Sequence, residues 1–489
     1  MQETLTARAR WIALVVVCFG QFMVILDATI VNVALPSIQT DLDLSTEQLQ
    51  WIVNSYTLLF GGFLLLGGRA ADLIGRRALF LAGLALFSGA SLANALANSG
   101  EVLIIFRGLQ GLGAALVSPA ALSIITTTFS EGEERTKAMG IWGAIAGAGG
   151  AFGLLVGGIL TDLLSWPWIF LVNIPVGIGT AFAALRFIPE SRAETTERRF
   201  DLAGAVTVTA GLLVLVYAIV RTEAKGWGSL HTIGLTLLAI ALLTAFVLIE
   251  RRSVAPLVRL GLLRVRTLAS ANSVMFIVAG ALFGMFFFAS LYVQRILGYS
   301  PLQAGLAFLP VTFGIIIGAT LASQVLIRRV GVKPTTVGGM TLAAIGLIVL
   351  AATTKVDGSY LGILLGLVPM AIGMGSTFVP LTLVATTGVE AEDAGLASGV
   401  FNTSQQVGGA LGLAVLTTLA TDRTTSWLKD LGHPPTPQDQ AAGLVEGFQL
   451  AFTVSAGLMV VGVLLVAFLL RRRDLQRIDT SQPVMAAAA

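Results

Sequence analysis

A chain of 489 residues in which 55% are apolar and only 12% charged is excluded from the water-soluble globular proteins, whose charged share is about twice as large. The net charge of +3 is too small to suggest nucleic-acid binding. The single cysteine, Cys18, allows no internal disulfide, and neither histidine, His231 or His433, neighbours Cys, Asp and Glu at ligand spacing, so no metal site or cofactor is expected.

Apolar windows near the length that crosses a bilayer, about 20 residues, fall at 11–35, 48–68, 78–98, 102–128, 137–161, 165–186, 202–221, 230–250, 267–294, 302–327, 335–354, 360–387, 395–420 and 449–470. The sequence therefore predicts an all-α polytopic membrane protein with fourteen transmembrane helices. Arg8 and Arg10 before the first window imitate a secretion signal, but the window is too long, contains Asp27 and lacks a small-residue cleavage site, so it reads as a retained span. An even count puts both termini on one side. With that side cytoplasmic, inside segments hold 23 Lys and Arg and outside loops hold 6, the asymmetry of a cell-membrane protein with N- and C-termini cytoplasmic.

In the first span, Asp27 is a carboxylate in apolar surroundings, costly unless its charge is used. The loop after span two, Gly68-Arg69-Ala70-Ala71-Asp72-Leu73-Ile74-Gly75-Arg76-Arg77, offers a tight turn at Gly75 with Asp72 placed to accept hydrogen bonds or charge from a neighbouring helix end, so Gly68, Asp72, Gly75, Arg76 and Arg77 are expected to latch one conformation; an ordinary basic inside loop is the alternative. Span four brings Arg107 to the depth of Asp27, roughly 9 Å and 13 Å from the outer ends of their spans. The two are expected to pair, facing a central cavity, with burial and the cation pulling the carboxyl's proton affinity in opposite directions; a static ion pair is the alternative.

Span five is dense in glycine. Gly143 and Gly147 form one four-residue spacing, and Gly149, Gly153 and Gly157 another, with Gly158 adjoining. Such spacing suits close helix packing or a hinge. Loops 187–201 and 251–266 set spans seven and eight apart, which divides the chain into 1–186, an N-terminal six-helix bundle, 187–266, two inserted helices, 267–471, a C-terminal six-helix bundle, and 472–489, a disordered cytoplasmic tail. Gly331 in Arg328-Arg329-Val330-Gly331-Val332-Lys333 echoes Gly75; related halves with a site between them are the layout of secondary transporters. Span nine crowds Phe283, Phe286, Phe287, Phe288 and Tyr292, an aromatic patch suited to lipid, to core packing or to flat cationic cargo.

The strings Leu26 to Pro36, Gly68 to Arg77, Ser165-Trp166-Pro167-Trp168-Ile169-Phe170-Leu171-Val172-Asn173-Ile174-Pro175-Val176-Gly177, Tyr299 to Leu306 and Gly399 to Gly409 resemble the major facilitator superfamily, and within it the fourteen-span drug:proton antiporters of the EmrB/QacA type. The resemblance runs from about Trp11 to Leu470. It implies a major facilitator fold of two six-helix bundles plus two extra central helices, and proton-coupled efflux of hydrophobic, cationic or neutral small molecules such as drugs, antibiotics or secondary metabolites. Proton coupling then falls to Asp27 and Arg107, and a cargo cavity to Asn32, Gln110, Phe286, Tyr292, Asn402 and Gln405. One departure is Leu154, where proton-coupled exporters usually carry proline after the glycine.

A primary pump is disfavoured because no phosphate-binding G-x-x-x-x-G-K-[ST] loop occurs. An enzyme is disfavoured because no nucleophile, base and orienting group stand together within the spans. A symporter or facilitator, and more remotely a membrane receptor, are the alternatives. Expected partners are small-molecule cargo, protons and the lipid bilayer, with no nucleic acid and a monomeric state.

Overall fold

The computed structural model describes residues 7–129, 133–192, 201–253, 256–259, 261–387 and 394–471. The expected tail 472–489 and the side chains of Asp72, Gly143 and Gly147 lie outside the described residues.

These residues form α1 Ala7–Asp41, α2 Thr46–Ile74, α3 Arg76–Ala95, α4 Gly100–Thr128, α5 Glu133–Leu163, α6 Trp168–Phe187, α7 Leu202–Val220, α8 Leu230–Arg252, α9 Arg266–Arg295, α10 Pro301–Val330, α11 Val332–Thr353, α12 Tyr360–Thr386, α13 Ala394–Lys429 and α14 Pro437–Leu469. Capping boxes start α2 (Ser45 with Gln48), α10 (Ser300 with Gln303) and α14 (Thr436 with Asp439), satisfying N–H groups that no preceding turn can reach. Gly75 between α2 and α3 has φ +126°, and Gly331 between α10 and α11 has φ +89°. Both are conformations that a side chain rarely allows. Finding them at matching turns gives the weak sequence repeat a structural counterpart.

Among the described residues, twelve helices are long and apolar enough to cross a membrane. Windows 137–161 and 395–420 also lie in helices, α5 and α13, yet neither is among those twelve. In α13 the reason is the polar run Asn402-Thr403-Ser404-Gln405-Gln406, tolerable because this helix packs on α2, α7, α9 and α14.

In the first half, α4 packs on α2 and α3, and α1 on α5, α6 and α4; in the second, α12 packs on α10 and α11, and α9 on α13 and α14. The glycines of α5 set the distance to α1. A Cβ on Gly153 would collide with Thr29 Oγ1 and lie 2.8 Å from the Leu26 carbonyl oxygen; one on Gly157 would lie 2.8 Å from that of Ile30, and one on Gly149 2.9 Å from Ile25. Gly158 points the other way, against the backbone of Pro301 and Leu302 in α10.

The halves meet at the face opposite the chain ends. There the Ser290 hydroxyl of α9 donates to the Asn32 carbonyl of α1 (2.7 Å), the Gln294 amide donates to the Val33 carbonyl (3.0 Å), and the Ser300 hydroxyl donates to Asp162 of α5 (2.8 Å). A second seam joins α2 to α13. Helix α7 covers that seam, touching both, and α8 packs on α7.

The glycine contacts generate a test. Gly153→Val should drive α5 off α1 and cost about 1–3 kcal/mol, the usual penalty of overpacking, seen as a lower melting temperature in detergent. Gly150→Ala, with nothing within 4 Å of the added carbon, should melt like the parent.

Candidate functional site

Asp27 stands in mid-α1 and is completely buried, at 0% exposure, and Arg107 of α4 is 2% exposed. Asp27 Oδ2 accepts from Arg107 Nη1 at 2.5 Å, and Oδ1 accepts from Gln110 Nε2 at 2.7 Å and from Asn173 Nδ2 at 2.8 Å. Arg107 is held in turn: its Nε donates to the Ile52 carbonyl (3.2 Å), its Nη1 also donates to Gln110 Oε1 (2.8 Å), and its guanidinium lies 4.3 Å from the centre of the Tyr56 ring. Gln110 also donates to the Ser91 hydroxyl and accepts from the Asn94 amide, both at 2.8 Å. Five helices, α1, α2, α3, α4 and α6, therefore each supply a group to one network.

Every group that meets Asp27 is a donor, a set that fits a carboxylate. A protonated Asp27 would turn its O–H toward donors. Taking up a proton therefore requires at least one of Arg107, Gln110 and Asn173 to withdraw.

The structure brings Asp27 and Arg107 into contact, but the pair is sealed inside the first half, between Tyr56 and Phe170 (5.8 Å from the guanidinium), and not on an open cavity as the sequence suggested. The cause is polar satisfaction: Ser91, Asn94, Gln110 and Asn173 offer partners only on that side. Gln110, expected to face cargo, belongs to this network. Tyr292 also departs from the cavity; it is buried, and its hydroxyl donates to the Lys355 carbonyl (2.8 Å) and accepts from the Lys355 N–H (3.2 Å), pinning the α11–α12 connection. Asn32, Phe286, Asn402 and Gln405 are half-buried. The Asn32 amide donates to the Ala28 carbonyl (3.2 Å), and Phe286 packs on Phe308, centroids 6.0 Å apart.

The Gly68 to Arg77 segment clamps elements of its own half. Glu190 beyond α6 accepts from the N–H groups of Arg77 (3.2 Å) and Ala78 (3.0 Å), so its charge sits at the positive end of α3. Arg76 donates to Ser123 of α4 (2.6 Å) and Arg77 to the Ile188 carbonyl (3.0 Å). Gly68 is half-buried, and Gly75 faces the Glu190 carboxylate, which would have to shift for a side chain there, while its φ of +126° disfavours any non-glycine residue.

Sequence reasoning missed Tyr56, Ser91, Asn94, Asn173 and Glu190. Ser91 and Asn94 did carry a signal, being polar residues three apart in an apolar span.

The Major Facilitator Superfamily model matches residues 17–413. The chain is 40% identical over 469 residues to the puromycin resistance protein of Streptomyces alboniger, covering 95% of this chain and 92% of that protein. It is 41% identical over 416 residues to the cephamycin export protein CmcT of Amycolatopsis lactamdurans, covering 84% and 85%. Its fold is similar to that of a bacterial homolog of the human lysosomal transporter Spinster, in an inward-facing, unoccupied conformation, with TM-score 0.65 and 16% identity over 97% of this chain and 100% of that one.

The network predicts a non-additive pair of substitutions. Arg107→Met strands a buried carboxylate and should cost about 3–5 kcal/mol. Adding Asp27→Asn removes the stranded charge, so the double variant should recover most of the lost melting temperature. Equal melting of the single and double variants would show that the charges do not depend on one another.

Proposed function

Because this chain belongs to the Major Facilitator Superfamily, a family of transporters and not of enzymes, we propose that it is a proton-coupled exporter of small molecules across the cell membrane. Its relatives include resistance and export proteins for antibiotics, which supports a hydrophobic or cationic drug-like cargo. The observation that carries the reading is the buried Asp27–Arg107 pair, whose Asp27 stands on the helix that also presents the Asn32 and Val33 carbonyls to the other half.

Loop charge assigns the face of the chain ends to the cytoplasm, with fourteen crossings, two six-helix halves and a two-helix insertion, functioning as a monomer. In the conformation described, the outer contacts are made and Asp27 is held as a carboxylate. Opening the outer side breaks the α1–α9 bonds, lying one to two turns from Asp27, and shifts the helix that carries it. A proton arriving from outside then replaces Arg107 as the partner of the carboxylate. Return of the halves restores Arg107 and expels the proton inward. Cargo leaves in the outward-open state from a cavity between the halves, for which Asn32, Phe286, Asn402 and Gln405 are the remaining lining candidates. One charge crossing 100 mV supplies about 2.3 kcal/mol.

Gly158, seated on α10, and the α1-facing Gly149, Gly153 and Gly157 let α5 slide without side-chain interlock, a hinge role compatible with Leu154 in place of proline. Asp72, with the Gly68, Gly75, Arg76 and Arg77 turn, is assigned to latching one conformation.

Everted vesicles loaded through a panel containing puromycin, a cephamycin and tetracenomycin C test the reading. The parent should concentrate at least one compound when the lumen is acidified, and Asp27→Asn should abolish that accumulation while leaving gradient-independent binding measurable. Accumulation by Asp27→Asn would move proton coupling to another acid, such as Asp41 or Glu101. Asp72→Asn should lower turnover at unchanged cargo affinity, and equal turnover would remove the latch.

A further inference from the structure

The α2–α13 seam changes character along its length. Toward the chain ends it is close-packed: Thr403 donates to the Gly61 carbonyl (3.3 Å), Gly61 packs on Gln406, and Gly399 on Leu65. Leu58 then packs in one cluster with Val407, Ala410 and Ala414. The helices are antiparallel in this register, so the next turns toward the opposite face bring Asn54 and then Gln50 of α2 along the side of α13 that carries Leu413 and Thr417. Steps of four and seven put Gln50, Asn54 and Gly61 on one side of α2, and steps of four, three and four put Gln406, Ala410, Leu413 and Thr417 on one side of α13.

Gln50 is 1% exposed, Asn54 0% and Thr417 3%. Gln50 Nε2, both amide heteroatoms of Asn54 and the Thr417 hydroxyl have no hydrogen-bond partner among the described residues. Of the neighbouring groups, Thr57 donates to the Val53 carbonyl (2.9 Å) and Thr418 to the Ile219 carbonyl (3.4 Å), whereas the buried Ser55 hydroxyl, on another side of α2, also has no partner among the described residues. Apolar residues of similar shape would fill the same space without a desolvation cost, so packing of this conformation does not account for three polar side chains on the facing sides of this seam.

We propose that Gln50, Asn54 and Thr417 are a hydrogen-bonding wall of the cargo path on the outer side, engaged when the halves part at that face. This rests on the exporter reading above. The wall offers amide N–H, amide C=O and hydroxyl groups with no charge. Its ligand class is therefore the uncharged amide, hydroxyl and carbonyl functions of a cargo molecule, and not an ammonium or carboxylate.

The test uses full-length protein in cells, with Cys18→Ser as background. Asn54→Cys and Thr417→Cys should react with an external, membrane-impermeant maleimide about tenfold faster than Leu103→Cys, a core position at 0% exposure, as expected for a site exposed in one of two interconverting states. Labelling no faster than at Leu103 overturns the proposal. Asn54→Leu should melt at or above the parent temperature, because an unsatisfied amide is removed, yet lower export of an amide-bearing probe, puromycin, by about tenfold. A lower melting temperature would show that Asn54 is bonded within the fold and would overturn the proposal, as would unchanged puromycin export by a parent that exports it. A parent that exports no panel compound fails the exporter reading instead, and the labelling result then stands alone.

Discussion

Burying a carboxylate and a guanidinium at bilayer depth costs several kcal/mol per ion unless each is paired and its remaining hydrogen-bonding capacity is filled. Asp27 and Arg107 are paired, with both carboxylate oxygens and the Arg107 Nε and Nη1 bonded, only because five helices converge on them. Gln110 and Asn173 fill the second carboxylate oxygen, Ile52 supplies a carbonyl, and Tyr56 offers a ring face. The first half of the molecule is packed around that requirement. Removing any one helix from its place would take a bonding partner from a buried charge or amide.

In the exporter proposed above, the same constraint would tie the pair to conformational change. α1 carries Asp27 in its middle and, just beyond, the carbonyls that Ser290 and Gln294 grip from the other half. On its far side α1 rests on a run of α5 glycines that allow backbone contact. A helix held by backbone hydrogen bonds at one end and by a smooth glycine face along its length can shift without repacking large side chains. In the exporter proposed above, the charge state of Asp27 and the closure of the face where α1 meets α9 would act on one rigid element, which is the physical content of coupling.

Much of this was legible in the chain. All fourteen windows coincide with helices, because runs of apolar residues at bilayer length have few other solutions. Asp27 and Arg107 stood out as isolated charges at similar depth. What the sequence withheld was direction. α1 is apolar nearly all round, so no amphipathic stripe says which side Asp27 faces, and the pair was expected on a cavity when it is turned into the bundle. For the same reason Gln110 and Tyr292 read as cargo residues although one serves the ion pair and the other ties down a loop. Glu190 was invisible because its role depends on the end of α6 meeting the α2–α3 turn, a contact across 113 residues. The polar run in α13 lowered its membrane signal for a reason that only packing supplies.

The account stands or falls on whether Asp27 exchanges its proton as cargo binds and leaves. Purified protein in weakly buffered detergent, brought before mixing to a pH low enough that cargo-free protein has taken up a proton, should release about one proton per bound molecule of a cargo identified by vesicle export, and the Asp27→Asn variant should bind the same cargo without that release. Undiminished proton release from Asp27→Asn would contradict the account.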